Sequence, residues 1–579
     1  MKIKGFSKLV KDNLKEHKLK DCDVVIDGQN FFYNKYSDSK LPYVYGCESD
    51  RYAEYLRNYM SIFDKANVKC YVIFKGGHRD INKKHEHPGG YNYFWGQKEI
   101  VLPIFMKEVY KQVLDEMDIE YSISEFEAKD EVIAFAHTKK CCIISNDIEF
   151  CFSGEPYVPY DTIEFDPGTN SINCGLFVLD DFLLKYRLNH DKIAIFVTLT
   201  DTTIFDETYF EKLLKRMKML NRNKNILLLQ WLAKTSTQGA LNAIKNSLEV
   251  HQNRFLQELQ NVRNRYEKKI CRVSASYLLH KDILTTDNDL RWFEKGVTLG
   301  HIAIPYINLY YSNIMVGSWA IEGKDSEDSL YFSMEIIKYA YNLLTNFEKN
   351  EFQFKDKHQV THTIRTTNAI VKKPQYVNFS PFENGWEGAL KTQRLFEHFL
   401  ESTMPGFNFD HLKLLPEDAR LLVIALIYFS HNKSEDVTDI VHSVLLSYTM
   451  LRVTAVQNSS TFMKADIDAA RHELAQFFHI TPLEAEDIYD EKLLYPLVQF
   501  QFCFIHLNYL NKLCGRPYVP TVYHLTYNGT FVYKVLFAAK DNGQGAKFIS
   551  QKLGCAPSLL SFYESVYKVF EETKLSIDL

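Results

Sequence analysis

Asp23-Val24-Val25-Ile26-Asp27 is a short apolar run that ends in a polar turn at Gly28. Outward from it the same rhythm repeats. A helical stretch covers Tyr52–Lys65, and Lys69–Phe74 (KCYVIF) is a second strand, broken by Gly76-Gly77. Pro103–Glu116 is amphipathic, with Phe105, Val109, Val113 and Met117 on one face. Ile119–Ser122 is a third strand, Ala128–His137 a helix and Cys141–Ser145 a fourth strand. This β-α-β-α order predicts an α/β fold with a mostly parallel sheet covered on both faces.

From about Asp206 the pattern turns helical. Asn225–Lys234 carries a Leu-rich face, Gln238–Tyr266 reads as one long polar helix, and Glu351–Phe379 holds β-prone alternation suited to a hairpin. Pro381 onward is mainly helical, with Pro416-Glu417-Asp418 opening its clearest helix, acids in the first turn where the dipole favours them. The expected organisation is an α/β domain over 1–205 with a loop over 76–96, a helical extension over 206–350, a hairpin linker over 351–380 and a helical C-terminal domain over 381–579.

Composition narrows the function classes. With 46% apolar and 24% charged residues the chain is globular, not disordered. The formal net charge of −5 supplies no global basic field, so any nucleic acid must be held by local patches. Eleven cysteines without a CxxC pair read as reduced thiols of an intracellular protein and argue against a zinc finger. The longest apolar stretches, such as Leu421–Phe429, are far short of a membrane span, so no membrane partner is expected.

In an open parallel sheet, ligands bind beyond the carboxyl ends of the strands. The polar residues there are Asp27 after the first strand, Lys75 after the second, Glu125 and Glu127 after the third, and Asp147 and Glu149 after the fourth. Carboxylates converging in this way on one rim persist only if cations neutralise them. Magnesium suits that role because it takes carboxylate and water oxygens and can activate water for phosphodiester attack. Each acid taken singly also reads as a turn or N-cap residue.

The order of these blocks resembles the flap-endonuclease-like (XPG-like) nucleases, and most of all their asteroid branch. Ile3-Lys4-Gly5-Phe6, Val25-Ile26-Asp27-Gly28, Phe74-Lys75-Gly76-Gly77, Glu127-Ala128-Lys129-Asp130 and Ser145-Asn146-Asp147-Ile148-Glu149 follow the superfamily's blocks in sequence. Leu102-Pro103-Ile104-Phe105, Phe126–Ala136, Trp231-Leu232 and Leu415-Pro416-Glu417 are similar to asteroid blocks. The resemblance implies a PIN-like nuclease domain and two-metal phosphodiester hydrolysis of flap, overhang or single-stranded DNA. It also implies Mg2+ or Mn2+, single-stranded or branched DNA as partner, DNA repair, and a nuclear location. Carried over by motif, Asp27, Glu127, Asp147 and Glu149 are the catalytic and metal-site candidates, with Asp201 as a further metal ligand.

The chain departs from the pattern in one direction. Lys75 stands where the resemblance implies an acid, and so does Lys129; Asp130 is adjacent, but on a helix it points about 100° away. Replacing two acids by two lysines shifts the site charge by about four units. Two readings of each lysine stay open. It swings to solvent and leaves a weakened metal site, or it pairs with the acids and replaces the metal. On the second reading the fold is a pseudo-nuclease, a non-catalytic binding or scaffold protein with no cofactor.

Beside the rim, the 76–96 loop interleaves cations with aromatics. Arg79, Lys83 and Lys84 suit phosphates, and Tyr93 and Trp95 suit stacking on single-stranded bases; packing of these rings onto the sheet is the alternative. Arg254, Arg263, Arg265, Lys268 and Lys269 give the polar helix a basic face, read either as solvated or as a backbone-binding stripe. Protein partners are expected through the helical C-terminal region.

Overall fold

A computed structural model describes residues 3–78, 102–206, 208–216, 224–248, 252–267, 273–281, 290–316, 320–323, 326–374, 389–455, 462–480, 489–542 and 545–578. The chain forms two units that interleave in sequence. The first comprises Met1–Phe31, Met60–Lys75 and Ile119–Thr285, and the second Phe32–Tyr59, Gly76–Asp118 and Thr286–Leu579.

Among the described residues the first unit carries eight strands: β1 (Lys15–Leu19), β2 (Cys22–Asp27), β3 (Val68–Phe74), β4 (Glu120–Ile123), β5 (Cys142–Ile144), β6 (Tyr157–Val158), β7 (Glu164–Asp166) and β8 (Ser171–Leu176). Five of them form a parallel sheet in the order β4-β3-β2-β5-β6. β2 lies at its centre, and Val24, Val25 and Ile26 are fully buried there, as expected of a strand covered on both faces. Ile26 sits opposite Val72 on β3 and Ile144 on β5, which brings the carboxyl ends of these three strands level.

Gly28 lets the chain turn tightly after β2. A Cβ there would stand 2.9 Å from Val72 Cγ1 and 3.1 Å from the Ile73 carbonyl oxygen, so the helix Gly28–Ser39 starts closer to β3 than any side chain permits. On the other edge of β2, the helix Lys129–Lys139 sends Glu131 inward to accept the Ala275 N–H at 2.9 Å. That bond satisfies one of the open donors at the start of the helix Val273–His280. Phe6 fastens the N-terminal helix Phe6–Lys11 to the core, stacked on Phe152 with centroids 5.0 Å apart and tilted against Phe196 at 5.7 Å.

Two features depart from expectation. A second, antiparallel sheet, β1-β8-β7, escapes the sequence reading because β1 (KEHKL) has no apolar alternation and is fixed by its pairing with β8. The long polar helix is two helices, Thr237–Leu248 and Gln252–Glu267. No glycine or proline marks the join, where Gln252 Nε2 donates to the Lys245 carbonyl at 3.1 Å.

Among the described residues the second unit is mainly helical, with one small sheet, β11-β10-β9, built from β9 (Ile314–Val316), β10 (Glu351–Lys355) and β11 (Thr361–Arg365). β10 and β11 are an antiparallel hairpin. The helix Glu417–Asn432 follows Pro416 and carries Glu417 and Asp418 in its first turn, as its sequence leads one to expect. Among the described residues, no helix is long and apolar enough to cross a membrane.

Candidate functional site

Asp27 closes β2 with its side chain inside the first unit, 6% exposed. Its Oδ1 accepts the Asn30 N–H at 3.3 Å and its Oδ2 accepts the Ser145 hydroxyl at 3.0 Å. Ser145, just past β5, is fully buried, and its Oγ also accepts the Asp147 N–H at 3.0 Å. One hydroxyl therefore ties the end of β2 to the turn after β5. Asp147 caps the 3-10 turn Ile148–Phe152, its Oδ1 accepting the Glu149 N–H at 3.0 Å. The Asn146 N–H is held by Asn30 Oδ1 at 2.8 Å. Ser145 and Asn30 were not singled out from sequence; their signal is a small polar residue at each strand end, indistinguishable there from ordinary turn chemistry.

Lys129 opens the helix Lys129–Lys139 and reaches this turn. Its Nζ lies 2.5 Å from Glu149 Oε2 and 2.7 Å from Asp147 Oδ2. Burial alone would lower the Lys129 pKa, but Glu149 and Asp147 outweigh it and hold the lysine above its ordinary value. Asp27 behaves oppositely. Burial first, and then the charge on Asp147, push it up to about 6, against the Ser145 and Asn30 hydrogen bonds and the Lys129 charge.

Lys75, just beyond β3, pairs with Glu127 at 2.6 Å, with 22% and 54% of the two side chains exposed. Both lysines thus engage carboxylates. Asp201 ends the helix His190–Thr200 and is buried; its Oδ1 accepts from the Thr203 N–H at 3.0 Å and the Thr203 hydroxyl at 2.8 Å. The Asp201 backbone also bridges Ile3.

These residues do not suit a magnesium or manganese ion as the side chains stand. Such an ion needs oxygen ligands at about 2.0–2.1 Å in near-octahedral array. The Asp147 and Glu149 carboxylates are instead spanned by an ammonium, and among the described residues no three His, Cys, Asp or Glu side chains are grouped to hold a metal.

Arg79, Lys83, Lys84, Tyr93 and Trp95 lie outside the described residues, as do Lys268 and Lys269. Two members of the supposed basic stripe have partners in the first unit. The Arg254 guanidinium lies 5.1 Å from the Phe205 ring centre, and Arg263 pairs with Asp191 at 2.7 Å. Long cationic side chains beside a buried apolar face lie along it and find local partners, which a charge count along the sequence does not register.

Comparison with known proteins bears on this arrangement. Residues 418–577 match the asteroid N-terminal domain. The chain is 28% identical over 149 residues to a zebrafish (Danio rerio) protein named single-strand DNA endonuclease ASTE1, a match covering 24% of this chain and 22% of that protein. It is 18% identical over 734 aligned positions to protein asteroid of Drosophila melanogaster, covering 90% of this chain and 86% of that one. The resemblance to the asteroid family stands. The asteroid match lies within the second unit, in the helical region running from Glu417–Asn432 to Pro557–Asp578, not at the acidic rim. Among solved structures, human GEN1 bound to Holliday junction DNA aligns with a TM-score of 0.32 and 12% identity, over 45% of this chain and 66% of that one. The chain spans only about a fifth of the zebrafish relative, 22% of its length.

Proposed function

We propose that this chain is a DNA-processing protein of nuclease-like ancestry in which metal-dependent phosphodiester hydrolysis is lost and nucleic-acid binding is kept. The observation that carries the reading is the Lys129 ammonium bridging Asp147 and Glu149 at 2.7 and 2.5 Å. A tethered cation offsets part of this negative charge without presenting a Lewis acid or a bound water, so the rim is partly neutralised and loses the means to activate a nucleophile. Lys75 does the same for Glu127. The relatives named single-strand DNA endonucleases support DNA as the ligand class. On this reading Arg79, Lys83 and Lys84 meet phosphates, Tyr93 and Trp95 meet bases, Asp27, Glu127, Asp147, Glu149 and Asp201 are remnants of the metal site, and the protein acts in the nucleus. The modules 1–205, 206–350, 351–380 and 381–579 belong to the same reading, the last contacting protein partners.

A second reading has a specific observation behind it. The Lys129 side chain is 31% exposed and so has a path to solvent; a lysine that swings out leaves a weakened endonuclease using the retained acids.

The test incubates the full chain with flap, overhang and single-stranded DNA in Mg2+ or Mn2+, beside Asp27→Ala. The expected result is DNA binding that falls with salt, and no cleavage beyond that of Asp27→Ala. Cleavage that Asp27→Ala abolishes overturns the reading in favour of the second. Absence of any DNA binding overturns it outright.

A further inference from the structure

Among the described residues, β11 is an outer strand of the small sheet in the second unit. Its register with β10 is pinned at both ends. At the turn, the Asp356 N–H donates to the Val360 carbonyl at 3.0 Å, while Asp356 Oδ1 accepts the His358 N–H at 2.8 Å and the Val360 N–H at 2.9 Å. At the other end, the Thr366 N–H donates to the Asn350 carbonyl at 2.7 Å. These bonds decide which backbone groups face inward. Hydrogen-bonded and non-hydrogen-bonded pairs alternate along an antiparallel ladder. His362 and Ile364 therefore turn their N–H and C=O groups toward β10, and Thr361, Thr363 and Arg365 turn theirs away from it. Among the described residues no strand pairs with that outer side.

Edge strands are ordinarily blunted by charge, proline or a bulge. The outer strands of the sheet β1-β8-β7 follow that rule: β1 carries Lys15 and Lys18, and β7 carries Glu164 and Asp166. β11 (THTIR) does not. It has no lysine, acid or proline, it pairs with β10 without a bulge, and its charge is confined to Arg365 at its end. Thr361, Thr363 and Arg365 are exposed. Ile364 lies opposite the buried Phe352 on the same face of the sheet but is only half-buried, so the apolar face runs out at this edge. Val360, just before the strand, is 51% exposed.

We propose that β11 pairs antiparallel with β11 of a second copy of this chain, about a two-fold axis at Thr363. The edge is complementary to itself in that register. Thr363 faces Thr363, and Thr361 of one copy faces Arg365 of the other, so the residues with outward backbone groups meet one another as hydrogen-bonded pairs. No like charges are opposed, and Ile364 falls opposite His362, which carries the apolar face across the joint. An axis at Arg365 would set two guanidinium groups against each other, and an axis at Thr361 would run the pairing into the Asp356–Val360 turn. Pairing of one 5-residue strand covers less area than a standard interface, so the dimer is weak and reversible. It stands independently of the state of the acidic rim.

The test is sedimentation velocity of the full chain over a concentration series. Wild type should show a reversible monomer–dimer equilibrium. Thr363→Pro removes an outward N–H that β10 does not use, which an edge strand tolerates, and should weaken the dimer about ten-fold or more at unchanged Tm. Thr363→Lys and Thr363→Glu keep the backbone donor and set like charges face to face at the axis. Each alone should associate more weakly than wild type, and an equimolar mixture of the two should associate more tightly than either, because Lys then faces Glu. A wild type that stays monomeric throughout overturns the proposal. So does a dimer that Thr363→Pro leaves intact, or a mixture that associates no better than its components.

Discussion

Lys129 holds Glu149: ammonium and carboxylate oxygen lie 2.5 Å apart, and the side chains are 31% and 12% exposed. The two residues come from opposite sides of β5, one at the start of the helix before it and one in the turn after it. Their meeting closes the acidic rim from within the chain.

That pairing has a measurable coupling. Lys129→Met should destabilise the protein by about 1–3 kcal/mol, because it leaves two part-buried carboxylates without a cation, at less than the full buried-pair cost since Lys129 is partly solvated. Glu149→Gln in the same chain should recover part of the loss. Denaturant unfolding of the two single variants and the double variant measures the interaction. Strictly additive effects would mean that the contact contributes nothing.

Asp27 should make stability depend on pH in a defined window. Its folded-state pKa of about 6 is above the ordinary 3.8, so the folded state binds the proton more tightly than the unfolded chain does. The resulting stabilisation is fully present below about pH 4, is lost as pH rises to about 6, and is flat beyond. The swing is on the order of 3 kcal/mol. Comparing wild type with Asp27→Asn by urea unfolding from acid to neutral pH isolates it, and a difference that stays constant across the window would remove Asp27 as its source.

Gly28→Ala should cost about 1–3 kcal/mol, because the added methyl meets Val72, Phe74 and the Ile73 carbonyl at 2.9, 3.0 and 3.1 Å, so the fully buried end of β3 has to shift. Since Gly28 adjoins Asp27, the pH window should shift with it. Thermal unfolding checks the first effect, and a Tm equal to wild type would show that the turn relaxes freely.

Much of this arrangement is legible in the sequence. The apolar run Val24–Ile26 and its repeats place β2, β3 and β5, because a strand buried on both faces has to be apolar, and the α/β alternation places the edge strand β4. The rim follows from topology: what succeeds each strand is at one edge. The partner of each lysine was beyond reach. Lys129 and Glu149 are separated by a helix, a strand and a turn, and whether the ammonium meets Asp27, Asp147 or Glu149 depends on how Ser145 fixes that turn. The sheet β1-β8-β7 was equally hidden, since its register is set by pairing across more than 150 residues, with Lys15 opposite Leu176.

On the proposed function, tethered ammonium groups take the place of a divalent cation at the rim. Electron paramagnetic resonance of Mn2+ titrated into wild type and into Lys75→Asp/Lys129→Asp tests it most directly, with Asp27→Asn added to each as the control. Wild type should leave the free Mn2+ signal unchanged, while the double variant should bind Mn2+ saturably and lose that binding with Asp27→Asn. Saturable Mn2+ binding by wild type that Asp27→Asn abolishes, with no gain in the double variant, would contradict it.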